Sequence, residues 1–515
     1  MAIETELKLT APAHALQKLS RQPWLRAMAI GRGKKERLVS VYFDTPDCKL
    51  EHRHIALRIR RQAGKRMQTI KAQDGANALS RAEWEHPVSS NRPHLGPAKG
   101  TPLEPLLKNG AKKMLRPMFE TNIERTTIPL RAGHSEVELA IDRGFIRAGK
   151  RRVSVHEIEL ELKHGDSRDL AALAGRLAES EQVAYGALTK AERGYALKAG
   201  RHQQPVEAGA IALDPAQSVA SAFAKIGLSC LHHLSGNEPA VRKGDSEGVH
   251  QMRVGLRRLR AAISVFKEIA TDERTEAIKD ELKWLTEQLG PARDFDVMIE
   301  DALHPLRDEQ QGKPEIKLLQ SDVEEKREEG FAKAKAAVAS ERYRKLVLDT
   351  ALWLIAGPWS RREDALAQAA LQRQVDGFAP DVLRKRRKKI VKKSRKADEL
   401  DALGRHKLRI AVKKLRYSTE FFASLFAGNK QKSARERIED LLKTLQDALG
   451  TLNDIAMHDK FADQMVRGGK RTKNDLQKTY AMGLLSGSEH RLAGACIAKA
   501  KKTGEKLAAA KPFWR

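Results

Sequence analysis

The sequence predicts an α+β multidomain protein, built of strands in its first part and of helices in its second. Three observations predict this. Residues 1–200 hold eight short segments in which polar and apolar residues alternate, the period of a half-buried strand. Residues 216–515 show hardly any such alternation; Ala, Leu, Lys, Arg and Glu recur there at helical spacing, with few prolines. Between them, residues 201–215 are turn-rich and without period, and are the predicted linker. The expected division is thus 1–200, a linker 201–215, and 216–515.

Composition narrows the class. The 515 residues include 96 Lys and Arg against 67 Asp and Glu, a formal net charge of +29, and 41% are hydrophobic. That apolar content argues against a wholly disordered chain. Both parts are basic: residues 1–200 hold 36 basic and 23 acidic side chains. Cys48, Cys230 and Cys496 are too few and too scattered for a disulfide framework or a Cys-rich zinc site. No apolar run approaches the ~18 residues of a membrane span. The best stretch, Leu346 to Trp359, is interrupted by Asp349. The N-terminus does not read as a signal peptide. The expectation is a soluble, cytoplasmic protein that attracts anions and uses no membrane.

The strands follow in order: ETELKL, RLVSVYFD, HIALRIRRQ, RMQTIKAQ, RAEWEHPV, TTIPLRA, SEVELAIDRG and SVHEIELEL. Segments 12–29 and 166–182 read as helices. The stretch 91–105, with four prolines and two glycines, reads as a loop. Reading each strand by twos separates its faces. Glu4, Glu6 and Lys8 share one face, opposite Ile3, Thr5, Leu7 and Leu9. Arg58 and Arg60 lie opposite Leu57 and Ile59. Arg81, Glu83 and Glu85 align, as do Glu157, Glu159, Glu161 and Lys163 in front of Ile158, Leu160 and Leu162.

One such face is most simply a solvated surface with cross-strand ion pairs. Four of them change the weighing. Acids at spacing two repel and want a cation; arginines at spacing two want a polyanion. A sheet curled into a barrel or tunnel, with this face inward, would hold both. Carboxylates suit a hard cation such as Mg²⁺, and Arg and Lys suit phosphate oxygens. The chemistry that needs both is the handling of a metal-bound phosphate chain.

On these residues the first part resembles the CYTH superfamily of triphosphate tunnel enzymes. The opening Glu4-Thr5-Glu6-Leu7-Lys8 is similar to its Glu-x-Glu-x-Lys signature. Tyr42-Phe43-Asp44-Thr45, Leu57-Arg58-Ile59-Arg60, Thr69-Ile70-Lys71, Arg81 with Glu83 and Glu85, Arg125, the Asp142-Arg143-Gly144 turn, the acidic strand and Thr189-Lys190-Ala191-Glu192 follow in the family's order, with Thr189 in place of Ser. The resemblance implies an eight-stranded antiparallel β tunnel that hydrolyses a triphosphate with Mg²⁺ or Mn²⁺. It implies catalytic roles for Glu4, Glu6, Lys8, Arg58, Arg60, Lys71, Glu83, Glu85, Arg125 and Lys190. It implies Glu4, Glu6, Glu157, Glu159 and Glu161 as metal ligands.

The helical part carries an internal repeat. His250-Gln-Met-Arg253-Val-Gly-Leu-Arg257-Arg258-Leu-Arg260 matches His406-Lys-Leu-Arg409-Ile-Ala-Val-Lys413-Lys414-Leu-Arg416, and Phe266 matches Phe422. Leu289-Gly290-Pro-Ala-Arg293-Asp294 and Leu449-Gly450-Thr-Leu-Asn453-Asp454 form a second matched pair. Two related helical bundles are therefore expected. His250, Arg253, Arg257 and Arg260 step by 3, 4 and 3, one helix face, and no carboxylate lies between Val249 and Phe266. Such a stripe, kept twice, suggests a bound anion more than a solvated face. Asp294 and Asp454 would orient the basic groups. This part resembles the CHAD domain, which implies polyphosphate binding at His250, Arg253, Arg257, Arg258, Arg260, His406, Arg409, Lys413, Lys414 and Arg416.

A further run, residues 384–396, has ten basic residues in thirteen. It reads as a solvated, partly helical arm, a polyphosphate clamp or a nucleic-acid patch. With 5% aromatic residues overall and none in the run, nucleic acid is disfavoured as a partner. The leading expectation is a metal-dependent inorganic triphosphatase with a polyphosphate-binding helical domain, its oligomeric state open. The competing readings are a non-catalytic protein of polyphosphate granules, and an organic triphosphatase or adenylate cyclase.

Overall fold

The computed structural model describes residues 2–73, 79–108, 114–201, 203–468 and 472–514. The chain divides into two compact units. One holds residues 1–206 with 272–278 and 340–362; the other holds 207–271, 279–339 and 363–515.

The first unit contains the eight expected strands: β1 (Ala2–Thr10), β2 (Lys34–Asp44), β3 (Ile55–Gln62), β4 (Lys65–Gln73), β5 (Ser80–Pro87), β6 (Arg116–Ala132), β7 (Ser135–Ala148) and β8 (Arg151–His164). They pair antiparallel in the order β5-β4-β3-β2-β6-β7-β8-β1, and β1 pairs again with β5 to close the ring. A two-residue strand, β9 (Ala184–Tyr185), adds to the far end of β1. Closure sets one side chain in two inward and the next outward. The notion of Asp142-Arg143-Gly144 as a turn needs correction: all three lie inside β7. Glycine is required there because a Cβ on Gly144 would sit 2.0 Å from the Asn122 carbonyl of β6.

The predicted helix 12–29 is two, α1 (Ala13–Leu19) and α2 (Pro23–Met28), because Pro23 starts a new turn. Next come α3 (Glu104–Lys108), α4 (Ser167–Ser180) and α5 (Lys190–Lys198). The outward apolar rows need covers. Leu7, Leu9, Ile158 and Leu160 pack under Leu16 and Leu19 of α1 and Leu170, Leu173 and Leu177 of α4. Leu57, Ile59 and Ile70 pack under Ala98, Leu103 and Leu106, so the Pro-rich 91–105 stretch is a structured cover for β3 and β4. Tyr195 and Leu197 of α5 join Leu38, Tyr42 and Phe119.

The rest is helical: α6 (Val219–Gly236), α7 (Glu238–Lys243), α8 (Ser246–Val265), α9 (Thr275–Val297), a π-helical turn Met298–Leu303, α10 (His304–Glu309), α11 (Pro314–Ala339), α12 (Glu341–Ala356), α13 (Ala365–Gln372), α14 (Val375–Ser394), α15 (Ala402–Phe421), α16 (Asn429–Gly468) and α17 (Lys473–Ala509). The basic run 384–396 thus falls mostly on α14. The two repeat copies are α8 and α15, opened alike by Asp245 and Asp401, whose carboxylates accept from the third amide of each helix. Phe266 and Phe422, matched in sequence, meet with ring centroids 6.2 Å apart. Phe378 touches both. In the first unit, α12 packs on α4 and β9, and Leu348 of α12 is buried in the core shared with β1 and β8. No helix among the described residues is long and apolar enough to cross a membrane.

Candidate functional site: a charged tunnel and a basic helical cavity

Inside the ring of strands lies a cavity of about 290 Å³. It is lined by Glu4, Glu6, Lys8, Arg58, Arg60, Lys71, Glu83, Glu85, Arg125 and Lys190, which are all ten of the residues given catalytic roles above. They arrive from β1, β3, β4, β5, β6 and the first turn of α5, separated by up to 186 positions in the sequence. The period of two brings each strand's residues together, and ring closure brings the strands together.

The charges inside are tightly interlocked. Lys190 Nζ lies 2.8 Å from Asp142, 2.7 Å from Glu157 and 2.7 Å from Glu159. Arg125 grips both Asp142 oxygens at 2.7 Å and also pairs with Glu159. Lys8 pairs with Glu6, and lies 2.9 Å from Glu159. Lys71 pairs with Glu4, and lies 3.3 Å from Glu83. Burial opposes the charge on Glu159, but Lys190, Lys8 and Arg125 hold its carboxyl well below the usual carboxylate range. Burial likewise opposes the Lys190 ammonium, and Asp142, Glu159 and Glu157 raise it well above an ordinary lysine. Both groups stay ionised at neutral pH.

One end of this network has cation to spare. Arg60 forms no ion pair among the described residues, and its Nε is buried without a partner, as is that of Arg58. Burial and the neighbouring Arg58 and Arg125 bring Arg60 down to about 10. Among the described residues Arg58 reaches only the Tyr42 hydroxyl at 3.5 Å and Glu83 at 3.8 Å. Burial would raise the Tyr42 hydroxyl, yet Arg58, Arg60 and Lys190 bring it below its ordinary value. Buried, unpaired guanidinium N–H groups are costly unless an anion completes them.

The five residues given metal roles separate. Glu4, Glu6, Glu159 and Glu161 line the cavity, and Glu6 faces Glu161 directly across β1 and β8, with Glu138 of β7 next in the row. Burial raises the Glu161 carboxyl above its usual range against the opposing Lys163 ammonium 2.6 Å away, with Glu4 and Glu138 adding to the rise. A row of oxygen donors under mutual repulsion fits a hard divalent cation. Glu157 lies behind the wall: 1% exposed, held by Lys190 and Arg193, and outside the cavity lining. With Asp142 and Glu159 it forms a tight group of three carboxylates, each contacted by the Lys190 ammonium. Asp142, Glu138 and Lys163, absent from the predicted roles, also line the cavity. The alternation of SEVELAID signals Glu138 and Asp142 as one face of β7.

The second unit holds a cavity of about 1210 Å³ between the repeat copies. Arg253, Arg257 and Arg260 of α8 and His406, Arg409, Lys413 and Lys414 of α15 line it. The second matched pair of motifs meets the first. Arg253 donates to the Leu289 carbonyl and to Asp294, both at 3.0 Å, and His406 Nδ1 lies 2.8 Å from Asn453. Burial, then Arg409 and Arg257, push the Lys413 ammonium down to about 7. Three predicted residues point elsewhere. Arg258 is fully buried, paired with Glu420 at 2.5 Å, because it falls off the 3-4-3 stripe. Arg416 donates to Gln446 at 3.1 Å, and His250 does not reach the lining. Lys267, Lys279, Arg405, Tyr417 and Lys460, unread in the sequence, join the wall.

Comparison with known proteins matches two stretches of the chain to two families. The CYTH domain family matches residues 2–195 and the CHAD domain family residues 225–463. An inorganic triphosphatase of Haemophilus influenzae is 31% identical over 164 residues, 31% of this chain; the match spans 46% of that relative's length. The crystal structure of the CHAD domain from the plant Ricinus communis is 27% identical, with a TM-score of 0.50, over 60% of this chain and 97% of that one. This protein therefore carries a CYTH domain over residues 2–195 followed by a CHAD domain over residues 225–463.

Proposed function

We propose that the tunnel hydrolyses inorganic triphosphate with a divalent cation, and that the helical cavity binds polyphosphate. The observation that carries the first part is the surplus of buried guanidinium at Arg58 and Arg60, with unpartnered N–H groups, beside a row of carboxylates. The named relative, an inorganic triphosphatase, supports the same reading.

In this reading Arg58, Arg60 and Arg125 take the phosphate oxygens, and Lys8 and Lys71 turn from their carboxylates to the chain. Water attacks the terminal phosphorus, the bridging P–O bond breaks, and pyrophosphate leaves with orthophosphate as the second product. Glu4, Glu6, Glu159 and Glu161 would hold Mg²⁺ or Mn²⁺, which supplies charge neutralisation and orients water. Positioning and electrostatics do most of the work in such transfers. The buried Lys190 fixes Glu159 and keeps it ionised. Among the described residues Tyr42 is the sole aromatic in the lining and is 4% exposed, which favours a substrate without a base to stack.

The cavity between α8 and α15 supports the second part. Its arginines and lysines outnumber the carboxylates Asp294 and Asp454, and they act from both repeat copies on one space. Glu4→Gln and Glu6→Gln test the catalytic claim. Each should lower orthophosphate release from triphosphate by about 100-fold or more while leaving the melting temperature near that of the parent protein. Full turnover in both variants would refute it.

A further inference from the structure

The basic run on α14 is split by its own helix. Four of its cations are already engaged. Arg384 pairs with Asp381 at 2.9 Å, Lys385 with Glu268 at 2.8 Å and Lys396 with Glu399 at 3.1 Å. Arg387 donates to the carbonyls of Leu507, at 2.7 Å, and Ala508, at 3.1 Å, capping the end of α17. Arg386 and Lys389, at i and i+3, are neighbours on the helix surface, with the engaged Lys385 alongside Lys389 at i and i+4. Arg386 donates to the Ser264 carbonyl of α8 at 2.8 Å, which fixes it against the helix that carries the stripe.

That pair adjoins Lys414. Burial, then Arg386, Lys389, Arg260 and Lys267, lower the Lys414 ammonium. Among the described residues none of these five cations forms an ion pair. Lys414, Arg260 and Lys267 already line the cavity. Uncompensated cations from α8, α14 and α15 therefore continue outward from its wall, and Lys389 is exposed.

We infer that Arg386 and Lys389 extend the cavity into a surface track for a phosphate polyanion, so that the helical domain grips a chain longer than the cavity holds. The inference rests on the reading of the cavity as a polyphosphate site. The track sets chain-length preference: short chains use the cavity alone, and long chains use both. Its ligand is a repeating anion without bases, since the track offers no aromatic ring for stacking.

The test uses the full-length protein without divalent metal, with short-chain and long-chain linear polyphosphate as probes. Arg386→Gln/Lys389→Glu should weaken long-chain binding by about tenfold and leave short-chain binding unchanged. The salt dependence for the long chain should become shallower by about 1.4–1.8 units of log–log slope, some 0.7–0.9 for each of the two contacts removed. Lys389→Glu alone, at an exposed position, gives the same direction if the double variant folds poorly. Lys385→Ala, beside the track but paired with Glu268, should change neither. Arg257→Ala/Arg409→Ala reports on the cavity itself: if that variant binds both probes like the parent, the polyphosphate reading of the cavity fails. If it loses binding while the α14 variants keep full long-chain affinity, the track alone is refuted. Displacement of long polyphosphate by an equal charge concentration of single-stranded RNA would reassign the track to nucleic acid and overturn the inference.

Discussion

At the scale of the residue, two cations carry the account because their surroundings have not neutralised them. Arg60 is buried beside Arg58 and Arg125 and has no carboxylate of its own. Arg60→Ala should lower kcat/KM for triphosphate by about 100-fold, the scale of losing one buried electrostatic donor, as measured by initial rates. Lys413 differs because it titrates near neutrality, at about 7. Its folded pKa lies below the unfolded one, so the folded protein holds fewer protons than the unfolded chain between about pH 7 and the ordinary lysine value. The destabilisation it causes is fully present below pH 7 and fades as pH rises through that window. Anion binding needs the ammonium, so polyphosphate affinity should fall between pH 7 and 8.5, by up to about tenfold for one charge-assisted contact. Lys413→Arg should flatten that profile in titration calorimetry. The placement of Arg60 on one face with Arg58 was legible only as a spacing of two. The burial that makes it unpaired, and the shift of Lys413, come from other elements and leave no local mark in the sequence.

At the scale of the element, α5 decides where Lys190 stands. Thr189 and Glu192 form a reciprocal capping box with Thr189 as the cap, which makes Lys190 the first residue of the helix. Gly194 then lets the helix lie on Phe119, for a Cβ there would come within 2.1 Å of the ring. Gly194→Ala should cost about 1–3 kcal/mol of stability through overpacking, and should reduce turnover by moving Lys190. Thermal unfolding and initial rates together check this. An unchanged melting temperature and rate would show that α5 can shift without consequence. The strands were legible because alternation is local, whereas their closure into an eight-stranded ring was implied by the family resemblance and depends on pairings between distant segments. The Asp142-Arg143-Gly144 step misled because Asp and Gly read as turn residues; here Gly serves the close approach of β6 and β7. The Pro-rich 91–105 stretch was legible as irregular, but not as the cover for Leu57 and Ile59. Arg258 shows the converse: it sits in a run of basic residues, yet one position off the stripe sends it into the core.

At the scale of the whole molecule, the first unit is not continuous in the chain. Residues 340–362 belong to it, and Leu348 lies 2% exposed in its core with Leu352 and Ile355 packed beside it. This is the same apolar stretch, Leu346 to Trp359, that stands out in the sequence. Trp353 Nε1 donates to Asp272 at 2.9 Å, and the Trp359 amide to the same carboxylate at 3.0 Å, so the two returning pieces fasten to each other. A fragment ending at residue 206 would expose that core, at about 1.5–3 kcal/mol for each fully buried large side chain. It should melt lower than the tunnel domain in the full chain, or fail to stay soluble. Equal melting would show the returning helix to be dispensable. Periodicity cannot reveal such a return, because the helix looks alike whichever unit it packs against.

The central claim is catalysis in the tunnel. Its most direct test is orthophosphate release by the full-length protein from inorganic triphosphate with Mg²⁺ or Mn²⁺, beside ATP, thiamine triphosphate and long polyphosphate. The account predicts turnover selective for inorganic triphosphate that disappears on chelation of the metal. No turnover on any of the four, with polyphosphate still bound, would contradict it and make the tunnel a receptor.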